Sequence, residues 1–259
     1  MTRLGRSGLW AVFGFLYLPM AVLMAYSFNA EPLGLNWSQL GWQWYRGLAD
    51  DPALIEATLN SLTVAILAAT LATLIGSLGA VGLRLYRLPG RGFVQGLLLV
   101  TLMSPDIVLG VSLLVLFIAV RLPLGFASLL LAHITFCLPF VTLTVLSRLK
   151  DFDRRLLEAA RDLGASEAQA LRHVVLPLAL PAIVAGWLLS FTLSLDDVVV
   201  SFFVTGPDFD VLPLRIYSMV RMGVKPEVNA LATLLFCLSL VLVSLSQWLL
   251  GRNRACAPA

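Results

Sequence analysis

Charge is the scarcest property of this 259-residue sequence: Asp, Glu, Lys and Arg together make up 13% of it, where a soluble domain has about 25%. Lysine is nearly absent, with Lys150 and Lys225 alone, and neither follows a glycine. A phosphate-binding loop of the Gly-x-x-x-x-Gly-Lys-Ser/Thr type therefore cannot be built, and the chain cannot hydrolyse ATP by that route. His133 and His173 are the two histidines, too few to suggest a Ser/His/Asp, Cys/His or metal cluster, so neither enzyme catalysis, a metal nor a cofactor is expected. Cysteine is sparse and odd in number. Cys137 and Cys237 sit inside apolar runs and Cys256 in the tail, which excludes a disulfide framework and reads as packing.

Apolar residues fill the space that charge leaves. They make up 59% of the chain, and mean hydropathy is +0.90, so too few polar side chains remain to coat a water-exposed surface. A soluble enzyme, a nucleic-acid binder and a disordered chain are all excluded in favour of an integral membrane protein. A helix needs roughly 20 apolar residues to cross the hydrocarbon. Six runs qualify: Gly8–Phe28, Ala57–Leu83, Phe93–Ile118, Phe126–Leu146, Leu178–Phe203 and Val228–Leu250. Pro19, Pro105 and Pro139 fall inside them, as membrane helices tolerate. The first run is longer than a signal-peptide core and lacks a convincing cleavage site, so it reads as a retained anchor.

Alternate connections divide the basic residues unequally. Thirteen lie on the side of Arg3, Arg84, Arg148 and Arg252, and five on the side of Arg46, Arg121 and Arg215. The excess of Lys and Arg on one side places both termini in the cytoplasm. The first outer loop is acidic (Glu31, Asp50, Asp51, Glu56) and aromatic, with Trp37, Trp42, Trp44 and Tyr45.

One cytoplasmic connection, residues 147–177, is long. It is densely charged yet carries Leu156, Leu157, Ala160 and Leu163 at helical spacing. Gly164 marks the end of that helix, Ser166 and Gln169 make a capping box opening a second short one, and Leu176-Pro177 with Pro181 mark re-entry into the membrane. An amphipathic anchor on the lipid surface and a knob docking into another protein both fit the stripe; nearly balanced charge suits a protein partner better.

Glu158-Ala159-Ala160, with Gly164 six residues after Glu158 and then Val174-Val175-Leu176-Pro177, resembles the EAA motif of ABC importer permeases, with Val174 in place of the usual isoleucine. Met103-Ser104-Pro105-Asp106-Ile107-Val108, His133-Ile134-Thr135-Phe136-Cys137-Leu138-Pro139-Phe140 and Ser194-Leu195-Asp196-Asp197-Val198-Val199-Val200-Ser201 are similar to the permeases of spermidine/putrescine importers. This likeness covers nearly the whole chain. It implies an all-α membrane protein with the type I ABC importer permease (MetI-like) fold. Its implied partners are an ATPase dimer, a second homologous permease and a periplasmic polyamine-binding protein. It also implies an ATPase interface formed by Glu158, Ala159, Ala160 and Gly164. Arg161 and Asp162 pair locally or join that interface.

Ionisable groups inside a span are costly, so Asp106, Asp196 and Asp197 are candidate substrate contacts. Along straight helices Asp106 lies about 20 Å and Asp196 about 27 Å from the cytoplasmic end, giving an anionic site in the outer half of the bilayer. Two other roles stay open. Ser104-Pro105-Asp106 equally reads as a helix start with Ser104 as cap. Asp196 and Asp197, about 100° apart on a helix, cannot both face one pore, and one of them can instead cap the segment after the span or bond Ser194 or Ser201. An ammonium chain needs carboxylates and aromatic faces, for which Trp44, Phe136, Phe140, Phe202, Phe203 and Tyr217 are candidates; Ser194 joins the same path. His133 is expected to be hydrogen-bonded within the bundle. The resulting expectation is a polyamine permease, against two rivals: an ABC permease for another solute, or a transporter or channel acting alone.

Overall fold

The structure is a computed structural model that describes residues 3–31, 37, 39–86, 89–150, 152–153, 155–221, 223, 226–237 and 240. In chain order its helices are α1 (Arg3–Tyr26), α2 (Gln43–Ala49), α3 (Pro52–Leu85), α4 (Arg91–Met103), α5 (Asp106–Ala119), α6 (Phe126–Lys150), α7 (Arg155–Asp162), α8 (Glu167–Ala170), α9 (Leu176–Asp196), α10 (Val199–Val204), α11 (Leu212–Arg221) and α12 (Pro226–Cys237). Among the described residues, Gly8–Tyr26, Pro52–Leu85, Phe126–Lys150 and Glu167–Asp196 are long and apolar enough to cross a membrane, and the bent pair α4–α5 makes a fifth if it is one crossing. The sixth expected run, Val228–Leu250, begins in α12 and then passes outside the described residues.

The chain divides into two units, residues 1–55 with 216–259, and residues 56–215. In the first, the segment after α1 folds back through a β-bridge between Asn29 and Leu40. Phe28, Trp42 and Tyr45 cluster there in edge-on and tilted contacts, with centroids 5.0–5.5 Å apart. Exposed Leu9, Trp10, Phe13, Phe15 and Leu16 line α1. That surface suits hydrocarbon rather than water.

The second unit packs the way membrane bundles do, with small residues inside and large ones outside. Along α3, Ala65, Ala68, Ala69, Ala72 and Ala80 are buried, whereas Ile66, Leu74, Ile75 and Leu78 are exposed. Val141 of α6 is held between two glycines. A Cβ on Gly76 of α3 would stand 3.0 Å from it, and one on Gly186 of α9 3.4 Å. Cys137 is fully buried in this seam, and its thiol reaches the Ser190 carbonyl at 3.5 Å.

Two expected spans prove to be broken. The run Phe93–Ile118 is two helices meeting at 113°, because Ser104 (ψ 137°) and Pro105 (ψ 137°) are both extended; a residue that precedes proline, as Ser104 does, is biased away from the helical conformation. Ser104 is not the cap of α5: it ends α4, and its hydroxyl donates to the Val100 carbonyl at 2.8 Å. The straight-helix depth of Asp106 loses its premise. Leu178–Phe203 likewise stops at Asp196, and α10 begins three residues later.

The 147–177 connection differs in the opposite direction. Gly164 (φ +84°) ends α7 as the sequence indicates; its N–H reaches the Arg161 carbonyl and Ala165 N–H the Ala160 carbonyl, the paired bonds of a Schellman motif. Ser166 and Gln169 form the capping box. The second helix, however, is not separate: α8 runs through a π-helical turn, Leu171–Val175, directly into α9. The Leu176 N–H reaches back five residues to the Leu171 carbonyl, a wider turn placed just before Pro177, which has no N–H to close the next bond.

Candidate functional site

Two places gather polar chemistry in the second unit. The first is the junction where α9 stops and α10 starts. Ser194 lies in the last turn of α9, Ser201 in the first turn of α10 and Asp197 in the extended break between them; their side chains converge on one buried face, while Asp196 is exposed. That face meets His133 of α6. The Ser194 hydroxyl lies 2.6 Å from His133 Nδ1; Nε2 lies 3.0 Å from Ser201 Oγ and 3.6 Å from Asp197 Oδ2. Ser201 donates to Asp197 Oδ2 through both its N–H (2.7 Å) and its hydroxyl (2.9 Å), and the Val200 N–H donates to Oδ1.

For a neutral His133 ring, these partners leave one proton arrangement. The only hydroxyl hydrogen of Ser201 goes to Asp197, so Nε2–H must donate to Ser201; in the neutral ring Nδ1 then accepts from Ser194. The result is a directed chain running from Ser194 of α9 through His133 to the first turn of α10. A Ser–His–Asp grouping is thus present after all, contrary to the expectation from two scattered histidines. It is no catalytic triad. All four side chains are buried, and the adjoining void between His133, Ser194 and Ser61 has no space for a water-sized molecule.

Asp197 therefore takes the second of the roles left open for it, holding the N-terminal N–H groups of α10. Asp196 is left exposed as the last residue of α9. The carbonyls of that final turn have no α-helical partners, so the helix end itself carries partial negative charge beside the carboxylate. Asp106, also exposed, opens α5. One turn further on, Gly110 lies so close to α10 that a Cβ there would stand 2.8 Å from Phe203 Cδ2 and 3.4 Å from Val200 Cα. Asp106 thus lies one turn before this contact along α5, and Asp196 lies four residues before Val200 in the chain.

The predicted aromatics are dispersed. Phe202 is exposed on α10 and meets Phe203 edge-on at 5.6 Å. Phe136 is half-buried against Phe140 at 5.7 Å. Trp44 belongs to the first unit, where its indole N–H donates to the Asn29 carbonyl at 2.7 Å.

The second place is the elbow formed by α7 and α8. Asp153 opens α7 by accepting from the Arg155 N–H. Leu157 faces the core, whereas Glu158, Ala159, Asp162 and Gly164 are exposed and Ala160 is half-buried. A cleft of about 300 Å³ lies between this helix and the ends of α3 and α8, lined by Tyr86, Glu158, Arg161 and Glu167 among others. The Tyr86 hydroxyl donates to Glu167 at 2.6 Å, and the Arg161 guanidinium sits 3.8 Å from the same oxygen. Accepting that bond, Glu167 pushes the Tyr86 phenol above its ordinary range. Arg84 donates to the last carbonyls of α6, Leu149 (2.8 Å) and Lys150 (3.1 Å). The end of α3 thereby ties down both α6 and α8.

Residues 72–254 match the family of binding-protein-dependent transport system inner membrane components. The chain belongs to that family. It is an inner-membrane, multi-pass permease component and not an enzyme. The permease is 58% identical over 253 residues to the spermidine/putrescine transport system permease protein PotC of Escherichia coli (strain K12), covering 97% of this chain and 96% of that protein. It is 44% identical over 230 residues to the putrescine transport system permease protein PotI of the same organism, covering 86% and 82%. Its fold is similar to a chain in the crystal structure of a bacterial ABC transporter involved in the import of the acidic polysaccharide alginate, with TM-score 0.76, 16% identity, and coverage of 95% and 98%.

Proposed function

We propose that this permease is one of two membrane subunits of an ATP-driven importer that carries spermidine or putrescine across the inner membrane. It crosses the bilayer six times with both termini in the cytoplasm, and the bent pair α4–α5 forms the third crossing. A periplasmic binding protein delivers the polyamine, a homologous permease completes the path, and a cytoplasmic ATPase dimer docks on Glu158, Ala159, Ala160, Asp162 and Gly164. What carries the reading is likeness along nearly the whole chain to a permease named for spermidine and putrescine.

Physical chemistry supports the same cargo. A polyamine in transit leaves water and needs negative charge that is not already neutralised. Asp197 is committed to α10, but Asp196 is exposed beside the open carbonyl end of α9. Asp106 offers a second carboxylate beside the α5–α10 packing, and exposed Phe202 on α10 offers a face for the methylene chain. Ser194 serves the path by holding the junction.

The test is uptake of labelled spermidine by the complete complex in proteoliposomes. Asp196→Asn removes one charge at unchanged size, and uptake is expected to fall about tenfold while the complex still assembles. Native rates in this variant would remove Asp196 from the path.

A further inference from the structure

We infer that His133 is a positioning residue for the cation path: it braces the break between α9 and α10 and so sets the direction in which Asp196 faces. The inference rests on the reading of Asp196 given above.

Asp196 is the last helical residue of α9, and the helix does not continue into the two residues beyond it. Asp197 is extended (ψ 122°), and Val198 (φ −104°, ψ −38°) leads into α10. Val200 and Phe203 already hold α10 against Gly110 of α5, but without an additional constraint the last turn of α9 is free to fray at these two residues, carrying the Asp196 carboxylate with it. The hydrogen-bond chain supplies that constraint. Ser194 lies on the last turn of α9, Asp197 and Ser201 belong to the start of α10, and a single imidazole from a third helix, α6, bonds to both sides.

Location makes this brace strong. Ser194, Ser201, Asp197 and His133 are each less than a tenth exposed. Water cannot replace a broken bond there, so loss of the ring leaves the Ser194 hydroxyl without its partner and deprives Ser201 of its donor. His133 reaches neither solvent nor any open cavity, so it is not itself a cation contact. It acts through Asp196.

The ring is needed for having one donor and one acceptor on opposite sides, not for carrying a proton. Glutamine retains both functions in a neutral amide, whereas leucine has neither. In spermidine uptake by the complete complex, His133→Leu should slow transport about tenfold, with the complex recovered from membranes at native yield. His133→Gln should restore it to within about twofold of native. The double variant His133→Leu/Asp196→Asn should be no slower than Asp196→Asn alone, because a brace has nothing to hold once the charge is gone.

Four results would overturn the proposal. Normal uptake in His133→Leu alongside impaired Asp196→Asn removes the brace and leaves the cation site standing. His133→Gln as slow as His133→Leu points to proton transfer. Multiplying losses in the double variant mean that the two residues act independently. Normal uptake in Asp196→Asn removes the cation site and the brace together.

Discussion

Gly206 occupies a point where two loops of the second unit touch. A Cβ at this position would stand 2.4 Å from the Leu124 carbonyl oxygen and 2.8 Å from its carbon. Backbone cannot swing aside as a side chain does, so one loop must retreat. The contact is laced nearby by the Ser128 hydroxyl, which donates to the Val204 carbonyl at 2.8 Å, and by Phe126 against Phe209 at 5.6 Å. Gly206→Ala should therefore destabilise the permease by about 1–3 kcal/mol, seen as earlier thermal unfolding of the detergent-solubilised complex. Gly79, with nothing within 4 Å of its would-be Cβ, is the matched control, and Gly79→Ala should unfold no earlier than native. Equal unfolding temperatures for the two variants would show that the close approach carries no weight. The same reasoning explains which site residues are visible in a sequence. The spacing of Ser194, Asp197 and Ser201 marks one polar face in an apolar run, but their partner His133 is 61 residues from the nearest of them. No local pattern connects them.

Among the helices, hydropathy reveals where apolar runs lie and is blind to where they break. Phe93–Ile118 reads as one run because a 113° bend changes no side chain's polarity. Proline is only a partial guide. Pro105 sits at a break, yet Pro19, Pro139 and Pro181 lie inside continuous helices, as membrane helices tolerate. Caps were more legible, because the capping box at Ser166 and the left-handed Gly164 depend on a few consecutive residues. The tie between α3 and α8 was not, being a contact across 81 positions between two exposed side chains.

That tie makes a separate forecast. Tyr86 holds its proton more tightly in the folded state because Glu167 accepts its hydrogen bond. A raised value in the folded state means that its contribution is fully present at neutral pH, up to the ordinary tyrosine range, and is lost as pH rises through the raised value. Tyr86→Phe should therefore remove a late-titrating phenol from the ultraviolet phenolate curve and slow uptake modestly at neutral pH. Loss of an early-titrating step instead would mean that the bond to Glu167 does not form in the membrane.

Considered as a whole, the importer proposed above takes its work from a separate ATPase. The geometry of the permease offers one mechanical route among the described residues. α7 presents Glu158 on an exposed surface, Arg161 on the same helix meets Glu167, and α8 runs unbroken through the π-helical turn into α9. α9 ends at Asp196, so a push on α7 can be carried along one rigid element to the carboxylate proposed to meet the cargo. Separate helices at the elbow would have required a hinge at re-entry; the continuous one transmits displacement along its axis. On this basis Glu158→Ala should leave the subunit inserted and the path intact but weaken docking of the ATPase, reducing ATP-driven uptake about threefold to tenfold. Binding of purified ATPase to proteoliposomes containing the permease pair should fall in parallel. Reduced uptake with undiminished ATPase binding would place Glu158 in transmission rather than docking, and unchanged values of both would mean that the elbow is not where the motor engages.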